Sequence, residues 1–292
     1  MYPAKFDYYR AQSLDDALRF LGQHPEAKLL AGGHSLIPML KLRLAQPSAL
    51  VDVGRIDELR GITRGNGTIH VGALTTHTEI AASDILRESC PLLAEAAGKI
   101  GDPAVRNKGT LGGNVAHADP ASDLPAVLLA VGARLHLVSS GGRRSVAAAD
   151  FFLDLLTTDL QAGEVLTGVE VDQQGPGTGS AYLKVEHPAS GYALCGAAAL
   201  VEMEGGSGAC LRARLCFNGI AAVPVDAEAV SGALVGTSLD DATIAAAVGT
   251  HLAVADPLGD VQASGPYRVE LAKVYGQRAL RRARDRARGG SA

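Results

Sequence analysis

The residues of this 292-residue chain best suited to hold a ligand lie in two short stretches. The first is Ala31-Gly32-Gly33-His34-Ser35-Leu36. The second is Thr110-Leu111-Gly112-Gly113-Asn114, which runs on through Ala118 to Asp123. Each sets a Gly-Gly pair after an apolar residue and before a side chain that can hydrogen-bond. Glycine tolerates positive φ and lets a backbone come within hydrogen-bonding distance of a ligand. Two such residues in a row can aim successive N–H groups into one concavity, a seat for an anion. Two concavities from distant parts of the chain would close on one diphosphate from opposite sides. The pairs Gly141-Gly142, Gly205-Gly206 and Gly289-Gly290 lack those flanks and read as plain loops.

Neither stretch matches a known phosphate fingerprint. There is no G-x-G-x-x-G opening a long helix with an acidic residue further on, and no G-x-x-x-x-G-K-[ST]. A diphosphate here would be held by loops rather than by one helix end. No Ser/His/Asp or Cys/His set and no paired carboxylates stand out, so no residue is assigned as catalytic. Cys90, Cys195, Cys210 and Cys216 form no C-x-x-C pair, so no metal or cluster site is assigned either. Scattered cysteines without a signal segment point to buried, reduced thiols and a cytoplasmic protein. With 27 basic and 31 acidic residues the formal charge is −4, which argues against a general nucleic-acid binder. No apolar run is long enough to span a membrane.

The elements that must position these stretches follow from periodicity. Ser13 begins a helix with Leu14, Ala17, Leu18 and Leu21 on one face, and Ser13 with Asp16 resembles a capping box. Residues 28–31 read as a short strand delivering the first Gly-Gly, 38–44 as a compact turn or helix, and 49–53 as a strand. Together they make 1–55 a small α/β lobe. A second lobe, 56–174, starts with the Asn66-Gly67 turn and the strand 68–73. Thr75, Thr76 and His77 lead into a helix near Thr78. Helices over 91–100 and 122–131 flank the second Gly-Gly, and strands at 134–138 and 164–171 finish the lobe.

The Gly- and Pro-rich run 172–180 marks a boundary. Beyond it, 182–186, 192–203 and 210–217 read as strands. Leu211, Ala213, Leu215 and Phe217 should share one face, with Arg212 and Arg214 on the other. Helices at 226–235, 240–254 and 265–286 would cover one face of that sheet, an α+β unit. The last helix carries Arg278, Arg281, Arg282, Arg284, Arg286 and Arg288. It reads as a solvated end complementing the helix dipole, with a docking patch for an acidic partner as the alternative.

Two long motifs carry a family resemblance. AGGHSLIPMLKLRL at 31–44 is similar to the first flavin motif of the FAD-binding medium subunits of molybdenum hydroxylases, the carbon monoxide dehydrogenase and xanthine dehydrogenase group. TLGGNVAHADPASDLP at 110–125 resembles the second, where Ile is usual at the position of Leu111, and DPAVRNKGTLGGN supplies its run-in. RLCFNGIAAVPVDAEA and ASGPYRVELAKVYGQRAL resemble the family's C-terminal domain, so the likeness covers nearly the whole chain.

The resemblance implies an α+β protein: a two-lobed FAD-binding domain of the vanillyl-alcohol-oxidase (PCMH) type over 1–174, then a small α+β domain over 178–288. It implies noncovalent FAD, with Gly32, Gly33, His34, Ser35 and Leu36 on one side of the diphosphate and Thr110, Gly112, Gly113 and Asn114 on the other. Asp123 would accept hydrogen bonds from the adenosine ribose. Lys184 and Tyr192 would approach the isoalloxazine, where a cation stabilises reduced flavin. Ala31, Thr75, Thr76, His77, Leu111, Ala118 and Leu166 also belong to the implied cofactor site. The implied role is electron transfer within an assembly, a dimer of heterotrimers. A large subunit would carry the molybdenum cofactor, a small subunit would carry 2Fe-2S clusters, and an external acceptor would receive the electrons. The rivals are a self-sufficient FAD-dependent reductase or oxidase on the same fold, and a structural subunit that has lost flavin.

Overall fold

The computed structural model describes residues 2–205 and 208–290; Gly206, of the Gly205-Gly206 pair, falls outside them. The first lobe contains β1 (Asp7–Arg10), α1 (Leu14–Gln23), β2 (Lys28–Leu30), α2 (Leu36–Lys41) and β3 (Ala49–Asp52). Its strands form a parallel sheet in the order β1-β3-β2. β1 has no expectation behind it: it is a largely exposed edge strand without alternation. Ser13 caps α1 by accepting the Asp16 N–H, but Asp16 does not complete a capping box. Its carboxylate takes the Gln12 N–H, the Tyr9 hydroxyl and Arg19 instead, which together hold its pKa down at about 2.

The second lobe opens with β4 (Ile62–Arg64) and β5 (Thr68–Gly72). A helical run follows: α3 (His77–Ala82), α4 (Asp84–Ser89), α5 (Pro91–Gly98), α6 (Pro103–Arg106), α7 (Leu111–His117) and α8 (Leu124–Ala130). Then come β6 (Arg134–Ser139), β7 (Gly142–Ala147), α9 (Ala148–Phe151), β8 (Phe152–Asp154), β9 (Thr157–Thr158) and β10 (Val165–Asp172). The main sheet runs β4-β5-β10-β6-β7 and is antiparallel throughout. One face packs under the helices through Ile69, Val71, Leu135 and Val169, which meet Leu92, Leu93, Leu111, Leu124 and Leu128. The first lobe covers the other side, where Leu74 and Val165 join Leu14, Leu18 and Val51.

After residues 173–177 the chain enters β11 (Thr178–Glu186), β12 (Ala193–Met203), β13 (Cys210–Asn218) and β14 (Val225–Asp226), paired in that order. α10 (Glu228–Leu234), α11 (Asp241–His251) and α12 (Gly265–Ala287) close one face. The expectation of a sheet covered on one face is incomplete. Tyr182, Ala198, Leu200 and Cys216 pack into the core of the second lobe, so both faces are buried and β12 is a nearly unbroken apolar run. The alternation expected in β13 also breaks. Glu202 pairs with Arg212 but Met203 with Cys210, so Leu211 is the extra residue of a bulge and stands half exposed.

The arginine-rich end of α12 is solvated in part, with Arg278, Arg282 and Arg288 exposed, and in part held by tertiary contacts. Arg281 and Arg284 pair with Asp241, Arg288 donates to the Ser238 carbonyl, and Arg278 lies over Tyr275. Arg286 donates to Glu95 of α5 and to the Ser180 carbonyl, both at 2.6 Å, fastening the C-terminal domain to the second lobe. Among the described residues no helix is long and apolar enough to cross a membrane.

Candidate functional site

The first Gly-Gly stretch leaves β2 and turns into α2. Gly33 sits at φ +75, a conformation that L side chains rarely adopt. The N–H groups of Ala31, Gly32, Gly33, His34, Ser35 and Leu36 find no acceptor among the described residues. A strand end that leaves so many successive donors free is poised for an anionic ligand. The loop lies hard against the run-in to α7: a Cβ on Gly32 would overlap the Lys108 carbonyl. His34 is exposed and folds back so that its Nδ1 meets the Gly32 carbonyl at 3.1 Å.

The second Gly-Gly is not the loop expected. Gly112 and Gly113 lie in the first turn of α7, with Thr110 as N-cap, and neither has positive φ. The amides at that helix start are already used. Leu111 donates to Thr75 O at 3.0 Å and Gly112 to Ala73 O at 2.8 Å. Gly113 donates to Thr110 Oγ1 at 3.2 Å and Asn114 to Thr110 O at 3.0 Å. The chain beyond β5 takes up the donors that a second nest would have offered. These glycines therefore serve close approach. A Cβ on Gly112 would stand 2.5 Å from Ala73 Cβ, while one on Gly113 would enter the gap towards Ala31 Cβ, 3.8 Å away.

Thr75, Thr76 and His77 form the floor between the two stretches. Thr75 is buried and its hydroxyl exchanges hydrogen bonds with Gly61. Thr76 makes the capping box of α3 with Glu79 and bridges to Thr110. His77 donates its N–H to Gly109 O, and its ring packs against Gly109. Its Nδ1 is buried without a hydrogen-bond partner. Burial, then the charges of Arg106 and His34, push its pKa down to about 4, so the ring is neutral at ordinary pH.

From Asn114 onward the second stretch reaches the C-terminal domain. Asn114 Oδ1 accepts from Ser122 at 2.7 Å, and Ala118 ends α7 in the left-handed region at φ 51. Asp123 is buried and ion-paired with Lys184 at 3.2 Å. Lys184 Nζ also donates to Lys99 O at 2.6 Å and Gly191 O at 2.8 Å. Side chains in direct contact cannot serve opposite ends of an extended dinucleotide, so the two roles expected for Asp123 and Lys184 do not hold together. Tyr192, partly exposed, brings its hydroxyl beside Ser35, and burial and the nearby Asp119 raise its pKa. Leu111 and Leu166 are buried in the apolar layer under the helices. A separate cleft of about 550 Å³, lined by His70, His136, Arg143 and Thr167, lies away from both glycine stretches.

Two family models match the chain: the FAD binding domain in molybdopterin dehydrogenase over residues 4–173, and the CO dehydrogenase flavoprotein C-terminal domain over residues 180–283. The chain belongs to this family. It is 38% identical to the carbon monoxide dehydrogenase medium chain of Hydrogenophaga pseudoflava, over 96% of this chain and 97% of that one. It is also 38% identical to the glyceraldehyde dehydrogenase medium chain of Sulfolobus acidocaldarius, over 96% and 99% of the two chains. The reconstituted CO dehydrogenase from Oligotropha carboxidovorans superposes with a TM-score of 0.94 at 38% identity, covering 98% of this chain and 100% of that one.

The chain is thus the FAD-carrying, electron-transferring subunit of a molybdenum-hydroxylase oxidoreductase, and its residues fit that cofactor. Residues 31–36 offer free donors to a diphosphate, Gly113 leaves a gap beside them, and the unpartnered His77 Nδ1 lies in the floor. Arg106 adds a fixed positive charge next to His77. Sequence reasoning missed Lys99, Tyr182 and Asn218, which surround Asp123 and Lys184. No motif marked them, because each reads as an ordinary core or helix-end residue until the sheet is docked.

Proposed function

We propose that FAD lies noncovalently in the cleft between residues 31–36 and the start of α7, with Tyr192 closing it from the C-terminal domain and the Asp123–Lys184 pair at its rim. The observation that carries this reading is the run of backbone donors without acceptors beside the left-handed Gly33. FAD when bound supplies a centre that takes up electrons from one donor and releases them to another. The chain's own work is to bind and orient: backbone N–H groups hydrogen-bond the diphosphate, neutral His77 keeps the floor free of a second charge, and the Thr76–Thr110 bridge ties the start of α3 to the start of α7.

The chain has no C-x-x-C or other cluster spacing of its own, and among the described residues no group of His, Cys, Asp or Glu is arranged to hold a metal. We infer that electrons reach the flavin from a partner. We assign that supply to a small 2Fe-2S subunit fed by a large molybdenum subunit, in a cytoplasmic dimer of heterotrimers that discharges to an external acceptor. The substrate is chosen on the large subunit. Relatives named for carbon monoxide and for glyceraldehyde are equally similar to this chain, which supports that division. The functional units are taken as 1–174 and 178–288.

The test is anaerobic flavin bleaching. Substrate mixed with the native assembly should bleach the flavin, while the same substrate with this chain alone should not. Rapid bleaching by the isolated chain would mean that it carries its own substrate site.

A further inference from the structure

Asp123 is reached from the C-terminal domain by more than the lysine. Tyr182 of β11 is fully buried, and its hydroxyl lies 2.6 Å from Asp123 Oδ1 and 3.1 Å from Asn218 Oδ1 on β13. A phenol has one proton, and the nearer, charged oxygen takes it. Gly196 on β12 makes room for this meeting: a Cβ there would overlap both Asn218 Oδ1 and the Tyr182 hydroxyl. Lys184 spends its ammonium protons on Asp123, Lys99 O and Gly191 O. A carboxylate has about four lone-pair sites, so Asp123 keeps capacity for a further donor after Tyr182 and Lys184 are counted. The carboxylate, and not the ammonium, is the member of the pair with something left to offer a ligand.

We propose that Tyr182 is a positioning residue that keeps the Asp123 carboxylate ionised and its remaining lone pairs available to a hydroxyl of the dinucleotide, so that the C-terminal domain governs how tightly the first domain holds FAD. The inference rests on the assignment of Asp123 to the cofactor site. Burial pushes Asp123 up to about 6, and Lys184 and the Tyr182 hydroxyl draw it back down. The other charged or titratable groups around the pair are Lys99 at the end of α5, with its partner Glu95, and Tyr192 and Asp119 at the cleft mouth. Cys195 on β12, beside Tyr182, is a neutral thiol pushed up to about 12. Among the described residues only Tyr182 donates to Asp123 from a neutral group, so its loss removes a hydrogen bond to the ionised form and nothing else from the charge balance.

The experiment is FAD titration of the full chain by flavin fluorescence between pH 5 and 8.5, for wild type, Tyr182→Phe and Asp123→Asn. Wild type should bind FAD progressively more weakly below a break near the Asp123 titration. Asp123→Asn should bind more weakly at pH 8.5 and show no break. Tyr182→Phe keeps the buried ring, and should match wild type within about twofold at pH 8.5. Its break should move up by about one unit, the shift expected when a carboxylate loses a charge-assisted hydrogen bond. With a break moved from about 6 to about 7, binding at pH 6 is roughly fivefold weaker than wild type. A break at the same pH in wild type and Tyr182→Phe, or no break in wild type, would overturn the inference. Unchanged binding at pH 8.5 in Asp123→Asn would instead remove Asp123 from the cofactor site.

Discussion

Adjacent glycines in the first turn of α7 should answer to one methyl group in opposite ways. On Gly112 a Cβ would stand 2.5 Å from Ala73 Cβ and 3.0 Å from Ala73 Cα and O, against a normal carbon–carbon approach of about 3.5–4 Å. The atoms in the way are largely backbone, so α7 and the end of β5 must separate, straining the 2.8 Å bond from Gly112 to Ala73 O. Overpacking of this kind costs about 1–3 kcal/mol, which lowers Tm by roughly 2–4 °C per kcal/mol in a domain of this size. On Gly113 the helical backbone accepts alanine, with a propensity gain of up to about 1 kcal/mol. Its Cβ meets Thr110 Oγ1 at 2.9 Å, a side chain that can turn away at the cost of a cap bond worth about 1 kcal/mol. The two terms offset each other, so the apo protein should keep its Tm. The methyl nevertheless projects towards Ala31 into the gap assigned to the diphosphate. Gly113→Ala should therefore weaken FAD binding at least tenfold, a loss of about 1.4 kcal/mol or more. Thermal melts of both apo variants and flavin fluorescence titrations check this. Wild-type FAD affinity in Gly113→Ala, or equal Tm losses at both glycines, would refute the reasoning.

Stability against pH should show two opposed buried groups. His77 is held at about 4 against an ordinary 6.5, so below pH 6.5 the unfolded chain binds a proton the folded protein refuses and stability falls with pH. Urea unfolding of His77→Gln should show a loss between pH 7 and pH 5 smaller than wild type by about 2 kcal/mol. Asp123 is raised to about 6, so the folded state binds its proton first and gains stability as pH falls from 7 to 5; Asp123→Asn should lose that gain, about 1 kcal/mol. Arg286→Ala removes the clamp to Glu95 and Ser180 O, and should lower Tm while leaving FAD affinity within twofold, read by melts and titration. Acid precipitation of the native protein should release FAD into the supernatant; colour left in the pellet would point to attachment at His34.

Much of the fold was legible because local signals agreed. The i, i+3, i+4 pattern after Ser13, the Pro at the start of α5 and the polar gap at 173–177 each specify structure without help from distant residues. Exceptions arose where a strand had too little burial to show a pattern, as in β1, or where a bulge shifted it, as at Leu211.

The two Gly-Gly stretches were likewise visible as places of close backbone approach, since glycine between apolar and polar residues is itself a statement about backbone approach. What the sequence alone determined was which residues could come close to an anion. Which pair keeps its donors free was decided only in three dimensions. The continuation of β5 satisfies the first amides of α7, whereas the amides of residues 31–36 find no acceptor among the described residues. The partnership of Asp123 with Lys184 and Tyr182 is likewise tertiary. The carboxylate lies at the start of α8 and its donors on β11 of another domain, and a buried carboxylate there depends on donors that only docking of that sheet supplies.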